Sequence, residues 1–442
     1  MAVPAAARHE RAALVGIAAR GHRSAEEQAL AELGGLARAA GAQVALSAIQ
    51  ERDAPDPATF LGRGRIETLA AACAEANVDL VIVNRELTPA QLRHMEAALD
   101  RRVVDRTQLI LDIFARRART REGKGQVELA QLQYLLPRLA GTGAMLSRLG
   151  GGIGTRGPGE TKLETDRRRI RQRIHAVARD LEQIRKRRGQ LRERRHKSAV
   201  PTAALVGYTN AGKTTLFNAL TGAGAHASDA LFVTLDPLVR KVRLPDHRTL
   251  LVSDTVGFID RLPHALVAAF RATLEEVAEA DLIVHVIDAA SPDRERRIAA
   301  VAAVLEEVGA SKVPSLQVFN KCDALSADDR RRLQMHEPDT LCISALTGEG
   351  LDELRETVSA RVALDTRRVV LEFDPDDEED RERMARVYRM GRVLTQETRD
   401  GHIVIEAEVP RRLLERLTTT GGHRRDGATA PRRRPAAWGH RA

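Results

Sequence analysis

The run Gly207-Tyr208-Thr209-Asn210-Ala211-Gly212-Lys213-Thr214 constrains the fold more than any other stretch of the chain. It matches GxxxxGK[ST]. The apolar run Ala203–Val206 precedes it and the helical pattern Thr215–Leu220 follows it, which is the strand–loop–helix context the motif requires. Its glycines let the backbone curl so that N–H groups face phosphates, and the helix N-terminus adds positive potential. Lys213 is expected to reach the β- and γ-phosphates. Thr214 is expected to ligate Mg²⁺ through its hydroxyl, with Thr215 beside it at the end of the loop.

Three further segments fall in the order this chemistry needs. Asp254-Thr255-Val256-Gly257 ends the apolar strand Leu250–Val252. A carboxylate at a strand's C-terminal end can hold Mg²⁺ through water, and Gly257 lets its N–H approach the γ-phosphate. Asn320-Lys321-Cys322-Asp323 follows the strand Ser315–Phe319. Asp323 can accept hydrogen bonds from N1–H and the 2-amino group of guanine. Adenine has neither donor, so this pattern selects GTP over ATP. Asn320 is expected to bond the base edge and the phosphate loop, and Lys321 to lay its aliphatic stem on the ring. Ser344-Ala345-Leu346 offers backbone N–H groups to guanine O6. Between Gly222 and Pro237 a switch segment is expected in Phe232-Val233-Thr234-Leu235-Asp236. Thr234 is placed on Mg²⁺ and the γ-phosphate, with Thr221 as a weaker competitor. The metal set is thus Thr214, Thr234 and Asp254, and Lys213, Thr234 and Gly257 are expected to carry the reaction.

The rest of the 442 residues has room for about three domains. Over residues 10–104, the strands Ala12–Ile17, Gln43–Ile49, Leu80–Val83 and Arg102–Val104 alternate with the helices Ser24–Ala40, Ile66–Ala76 and Thr88–Leu99. Ser24 and Thr88 are expected as N-caps. This predicts a small α/β domain with a largely parallel sheet. Phe60-Leu61-Gly62-Arg63-Gly64-Arg65 reads as a tight turn before a helix, with phosphate binding as the alternative. From Asp105 to Leu136 the pattern is helical, and Pro137 is expected to end it. Residues 141–160 hold eight glycines, and a second long helix runs from Leu163 to Arg195. Its Ile170, Ile174, Val177, Leu181 and Ile184 make a heptad seam. The expectation is an antiparallel helical hairpin over 105–197 with a glycine-rich loop. Gly152-x-Gly154-x-x-Gly157 is not a dinucleotide fingerprint, because a helix rather than a strand precedes it. The nucleotide domain is expected over 200–362 with a mostly parallel sheet. A small α+β domain follows over 368–418, built from Val369–Phe373, Asp377–Tyr388 and a hairpin of Arg392–Thr398 and His402–Glu408 about Asp400-Gly401. A basic, disordered tail over 421–442 closes the chain.

Charge points to the partner. Residues 164–197 carry fourteen Lys and Arg against five Asp and Glu, a net +9 equal to that of the whole chain. Such a helix face suits a polyanion. Aromatics are only 3%, so RNA recognition is expected to rest on shape and charge rather than base stacking. No apolar run approaches the ~20 residues of a membrane helix. Cys73, Cys322 and Cys342 make no disulfide or zinc pattern. The reading is a cytoplasmic monomer.

Taken together, the chain resembles the HflX family of ribosome-binding GTPases. The resemblance rests on Gly150-Gly151-Gly152-Ile153-Gly154-Thr155-Arg156-Gly157-Pro158-Gly159-Glu160-Thr161-Lys162, on Glu164, Asp166, Arg167 and Arg168, and on the phosphate loop and Asp254-Thr255-Val256-Gly257-Phe258. It spans roughly residues 10 to 410. It implies a protein that binds the large ribosomal subunit and its RNA through the N-terminal domain and hairpin, and that splits stalled or idle ribosomes in a GTP-controlled cycle. An ATP-hydrolysing N-terminal domain is sometimes ascribed to relatives, yet this region has no Walker-type loop. Two alternatives share the motifs: a GTPase of RNA maturation, and a GTP-controlled module at a membrane or protein partner. The heptad stripe lacks the Trp/Phe/Leu face of a membrane-surface helix.

One residue departs from the common GTPase pattern. Phe258 stands where many GTPases place a glutamine that orients the attacking water. The expectation is that intrinsic hydrolysis is slow and the ribosome completes the site; the alternative is that Phe258 packs under the switch and another group holds the water, and the two can hold together.

Overall fold

The computed structural model describes residues 10–139, 158–197, 200–225, 231–260, 276–336, 340–362, 366–399 and 401–410. Most of the glycine-rich loop expected over 141–160, the tail 421–442 and Asp400 lie outside them. The chain divides into two compact units. One holds Met1–Leu191, Thr202–Arg240 and Val252–Leu351, and the other Arg192–Pro201, Lys241–Leu251 and Asp352–Ala442.

The first unit opens with β1 (Arg11–Ala18), α1 (Arg23–Ala39), β2 (Gln43–Glu51), α2 (Arg63–Glu75), β3 (Leu80–Val83), α3 (Pro89–Leu99) and β4 (Arg102–Asp105). The strands form a parallel sheet in the order β2-β1-β3-β4. Both faces are covered, so β3 and β1 after Arg11 carry no polar side chain instead of alternating with polar residues. Their side chains still separate with period two. Leu14 and Ile82 enter one core with Leu33, Leu36 and Phe114. Val15, Ile17 and Val81 enter the other with Leu69, Cys73 and Met95.

Local chemistry sets the helix ends. Thr88 caps α3 in a capping box: its Oγ1 accepts from Gln91 N at 3.2 Å, and Gln91 Oε1 accepts from Thr88 N at 3.1 Å. Ser24 is not a cap. A turn closed by His22 N donating to Ala19 O at 3.0 Å starts the helix earlier, with His22 in the cap position. Gly62 N donates to Gln50 Oε1 at 2.9 Å, which supports the turn reading of that loop.

The helical stretch after β4 is two helices, α4 (Arg106–Arg117) and α5 (Arg121–Arg138), rather than one. Ala118 is extended, and Thr120 restarts the helix by accepting from Gly123 N at 2.9 Å. Pro137 does not end α5. It sits in the last turn, and Arg138 continues the helix while its Nη1 donates to Tyr134 O at 3.0 Å. The next helix, α6 (Pro158–Lys197), runs antiparallel to α5. Arg121 lies 3.7 Å from Asp180, and Glu128 pairs with Arg173 at 2.9 Å. Between these pairs, Gly125 faces Leu181 and Val177 of the heptad seam. A Cβ at Gly125 would lie 3.2 Å from Leu181 Cδ2, so glycine sets the close approach of the two helices.

Next in chain order come β5 (Thr202–Val206), α7 (Lys213–Thr221), β6 (Leu238–Arg243), β7 (Thr249–Asp254), β8 (Leu282–Asp288), α8 (Arg294–Glu307), β9 (Ser315–Asn320), a 3₁₀ turn Cys322–Ala324, α9 (Ala327–His336), β10 (Leu341–Cys342) and α10 (Leu351–Val362). The sheet order is β10-β9-β8-β5-β7-β6, and β5, β8, β9 and β10 are parallel to their neighbours in that run. In the second unit, β11 (Thr366–Phe373), α11 (Glu378–Met390), β12 (Arg392–Arg399) and β13 (His402–Pro410) make an antiparallel sheet in the order β11-β13-β12. Phe373, Val387, Ile405, Ala407 and Val409 form its core. Among the described residues no helix is long and apolar enough to cross a membrane.

Candidate functional site

The site lies at the carboxyl ends of β5, β7 and β9. A cavity of about 450 Å³ opens there, lined by Thr209, Asn210, Gly212, Lys213, Thr214, Thr215, Phe232, Val233, Thr234, Thr255, Gly257, Asn320, Lys321, Asp323, Ala345 and Leu346, all named from sequence, and by Ala324, which was not. The other expected residues stand behind this lining.

The loop after β5 bends through Gly207, whose Cβ would collide with Val286 O, and through Gly212 at φ +91, whose Cβ would collide with Asn320 Nδ2. Glycine is required at Gly212 for both the left-handed backbone and the space. Lys213 is buried and donates to Gly207 O at 3.1 Å and Tyr208 O at 2.8 Å, closing the loop on itself. Burial pulls its ammonium down to about 8, partly countered by Asp254. Gly257 sits against it: a Cβ there would lie 3.0 Å from Lys213 Nζ and from Thr209 Cα.

Thr214, Thr234 and Asp254 meet. Asp254 Oδ2 accepts from Thr214 Oγ1 at 2.8 Å and Thr234 Oγ1 at 2.9 Å, and the two hydroxyls lie 2.8 Å apart. Asp254 is fully buried and its Oδ1 has no hydrogen-bond partner. Burial pushes its carboxyl up, against the pull of Lys213 and the two hydroxyls. Three hard oxygen donors with one orphaned carboxylate oxygen fit the outer and inner shells of a Mg²⁺ ion. The competing Thr221 is elsewhere, donating to Phe217 O at 2.6 Å within α7.

Asn320 ties two loops together. Its Nδ2 donates to Ala211 O at 2.8 Å, and its Oδ1 accepts from Ala345 N at 2.9 Å. The Ala345 N–H is therefore already engaged by Asn320, in contrast to its expected availability to guanine O6. Lys321 has φ +65 and donates to Asp288 Oδ2 at 2.8 Å, and Asp323 is exposed beside it. Cys322 turns into the core, donating to Phe319 O at 3.3 Å. Ser344 is buried and shapes its turn by accepting from Thr347 N at 3.1 Å. Thr255 Oγ1 donates to Leu205 O at 2.7 Å, fastening the end of β7 to β5. Val256 and Leu235 are buried.

Tyr208 faces away from the cavity. Its hydroxyl donates to Glu32 of α1 and accepts from Asp260 N at 2.8 Å. Arg106 of α4 pairs with the same Glu32 and donates to Asp260 O at 3.0 Å. Glu32 and Arg106 carry no local motif, so only the folded chain reveals this link. Phe258 is buried, its N donating to Gly207 O at 3.1 Å and its O accepting from Thr209 N at 2.7 Å. Its ring belongs to the apolar core and does not line the cavity.

Comparison with known proteins places the chain among GTPases. Residues 27–115 match the GTP-binding GTPase N-terminal family, residues 117–195 the GTP-binding GTPase middle region, and residues 202–321 the 50S ribosome-binding GTPase family. GTPase HflX of Caldanaerobacter subterraneus subsp. tengcongensis is 48% identical over 396 residues, covering 89% of this chain and 90% of the relative. GTPase HflX of Escherichia coli K12 is 43% identical over 383 residues, covering 86% and 89%. Among solved structures, a GTP-binding protein of Sulfolobus solfataricus in complex with GDP aligns with 25% identity and a TM-score of 0.44, over 80% of this chain and 98% of that one.

Proposed function

The chain belongs to the HflX family of GTPases, and from that premise we propose that it binds the large ribosomal subunit and drives the splitting or recycling of stalled or idle ribosomes. It is a GTP hydrolase, with its catalytic domain in the 50S ribosome-binding GTPase family. The observation that carries the ribosomal reading is that family match over 202–321, joined to a helix whose outer face is basic. Arg168, Arg169, Arg171, Arg179, Arg185 and Arg187 of α6 are all exposed. Phosphate contacts by such residues give RNA affinity that falls steeply with salt. The proposal extends to ribosomal RNA as the surface met by α5 and α6, to a monomeric chain and to the cytoplasm.

In this reading the loop Gly207–Thr214 cradles the nucleotide phosphates. Lys213 exchanges its two carbonyl partners for phosphate oxygens. Thr214, Thr234 and Asp254 would hold a Mg²⁺ ion, which would supply positive charge against the nucleotide phosphates. Asp323 reads the guanine edge and Lys321 covers the ring. The Gly257 N–H meets the γ-phosphate, in a space where a Cβ would press on Thr209 and Lys213 at 3.0 Å. Loss of the γ-phosphate then frees Thr234 and Gly257, and the two switch segments relax.

The test is GTP turnover by the purified protein alone, with large ribosomal subunits, and with naked ribosomal RNA. Strong stimulation by subunits, lost in Lys213→Ala, supports the ribosomal role. Absence of stimulation by subunits rejects it and favours RNA maturation.

A further inference from the structure

We infer that Asp236 is a positioning residue for Thr234, and that the N-terminus of α5 is the anchor it pulls against. The inference rests on the reading of Thr234 as the switch residue of the nucleotide site. Asp236 lies two residues beyond Thr234. Its Oδ2 accepts from Arg119 N and Thr120 N, each at 3.0 Å, and its Oδ1 accepts from the Thr120 hydroxyl. The carboxylate thus takes up amides at the start of α5, where the helix dipole favours negative charge. Space is specified as tightly as charge. Gly123, in the first turn of α5, faces Asp236 so closely that a Cβ would collide with Oδ1.

A second hold lies on the other side of Thr234. Phe232 is buried and meets Phe114 of α4 edge to face, with ring centroids 4.7 Å apart. Phe232 also keeps a left-handed backbone, φ +57, which a phenylalanine adopts only where its surroundings impose it. Thr234 is therefore suspended between two attachments to α4 and α5, with its hydroxyl turned to Thr214 and Asp254. The helix that anchors the switch is the one that packs along the basic α6. Whatever fixes the start of α5 fixes Thr234, and the bound nucleotide acts back on α5 with the same coupling energy.

The experiment follows amide hydrogen exchange of the segment around Arg119 and Thr120 in the full chain, with GDP and with a non-hydrolysable GTP analogue plus Mg²⁺. Exchange is expected to be several-fold slower with the analogue, and this difference disappears in Asp236→Ala and Thr120→Ala but survives in Thr120→Ser. kcat is expected to drop ~10-fold in Asp236→Ala, the scale of one lost hydrogen bond to a charged group, with GDP affinity unchanged. Unchanged GDP affinity separates positioning from loss of fold. Equal exchange in the two nucleotide states overturns the inference. So does a normal kcat in Asp236→Ala while Thr234→Ala is inactive. Normal turnover in Thr234→Ala instead overturns the reading of Thr234, and the inference with it.

Discussion

Thr214 and Asp254 lie forty residues apart in sequence, yet Thr214 Oγ1 donates to Asp254 Oδ2 at 2.8 Å. The second residue of α7 and the last residue of β7 reach the same point because β5, which leads through the phosphate loop into α7, is the neighbour of β7 in the sheet. Thr234 joins them from a loop. The carboxylate holds both hydroxyls with one oxygen and keeps the other, Oδ1, buried and unpaired. A buried carboxylate left half-satisfied costs stability unless a cation answers it.

That orphaned oxygen makes Asp254→Asn informative. The amide keeps the size and one hydrogen-bond acceptor but removes the charge. Mg²⁺-dependent affinity for a GTP analogue is expected to fall ~10–100-fold, while GDP binding without Mg²⁺ is unchanged. Titration of the nucleotide in EDTA and in millimolar Mg²⁺ measures the difference. Equal losses in both conditions reject the assignment of Asp254 to the metal.

Phe258→Gln separates the two explanations for the missing glutamine. Phe258 is 2% exposed and lies in the core beside Tyr208, Phe232 and Ile259. A glutamine there must bury its amide or open the core. The expected outcome is a loss of roughly 3 kcal/mol in stability and no gain in the ribosome-free hydrolysis rate. Denaturant unfolding and single-turnover hydrolysis read the two effects. A large gain in rate would show that the ring leaves the core and that the water site lies within reach of position 258.

Legibility followed the range of the interactions. The phosphate loop is written locally, since a strand, two obligatory glycines and a helix start within a dozen residues. Gly212 at φ +91 and α7 beginning at Lys213 follow from that pattern. Thr88 was legible for the same reason, because its partner Gln91 is three residues away. Ser24 had no such partner, and the turn at His22 outcompeted it. The break between α4 and α5 was hidden because both helices share apolar periodicity, while the residue that restarts the helix, Thr120, draws its second partner from Asp236, 116 residues on. The side-chain role of Tyr208 is hidden in the sequence for a related reason. The motif allows any residue at its position, and the true partner, Glu32, is 176 residues distant. Pairings of that range are properties of the packed chain.

His285 in β8 supplies a pH test. It is buried, and burial with the nearby Lys213 charge pulls its imidazole from 6.5 down to about 4. A histidine depressed in the folded state stabilises the fold above its unfolded value, and that contribution is lost as pH falls from 6.5 through 4. At pH 5 the loss is on the order of 2 kcal/mol. His285→Leu is expected to flatten the fall in unfolding free energy between pH 7 and pH 5 relative to the parent. Parallel curves for the two proteins would mean that His285 binds its proton equally in the folded and unfolded chain, so that burial does not depress it.

Asp323→Asn tests the base pocket and is the sharpest of these outcomes, because it predicts a gain as well as a loss. Asp323 is exposed at the rim of the cavity, on the turn held by Asn320 and Lys321. A carboxylate there can accept from both N1–H and the 2-amino group of guanine. An asparagine offers one acceptor and one donor, and its NH₂ would face the 2-amino group, donor against donor. Affinity for GDP is expected to drop by about 10²–10⁴, below the ~10⁴–10⁵ of a fully buried paired hydrogen bond because Asp323 is exposed. Xanthine carries a carbonyl in place of the 2-amino group, so the same variant should bind xanthosine diphosphate more tightly than GDP. Competition of the two nucleotides for the variant and the parent reads both changes at once. A uniform loss of both nucleotides would assign Asp323 to the shape of the turn. A reversal of preference would assign it to the base.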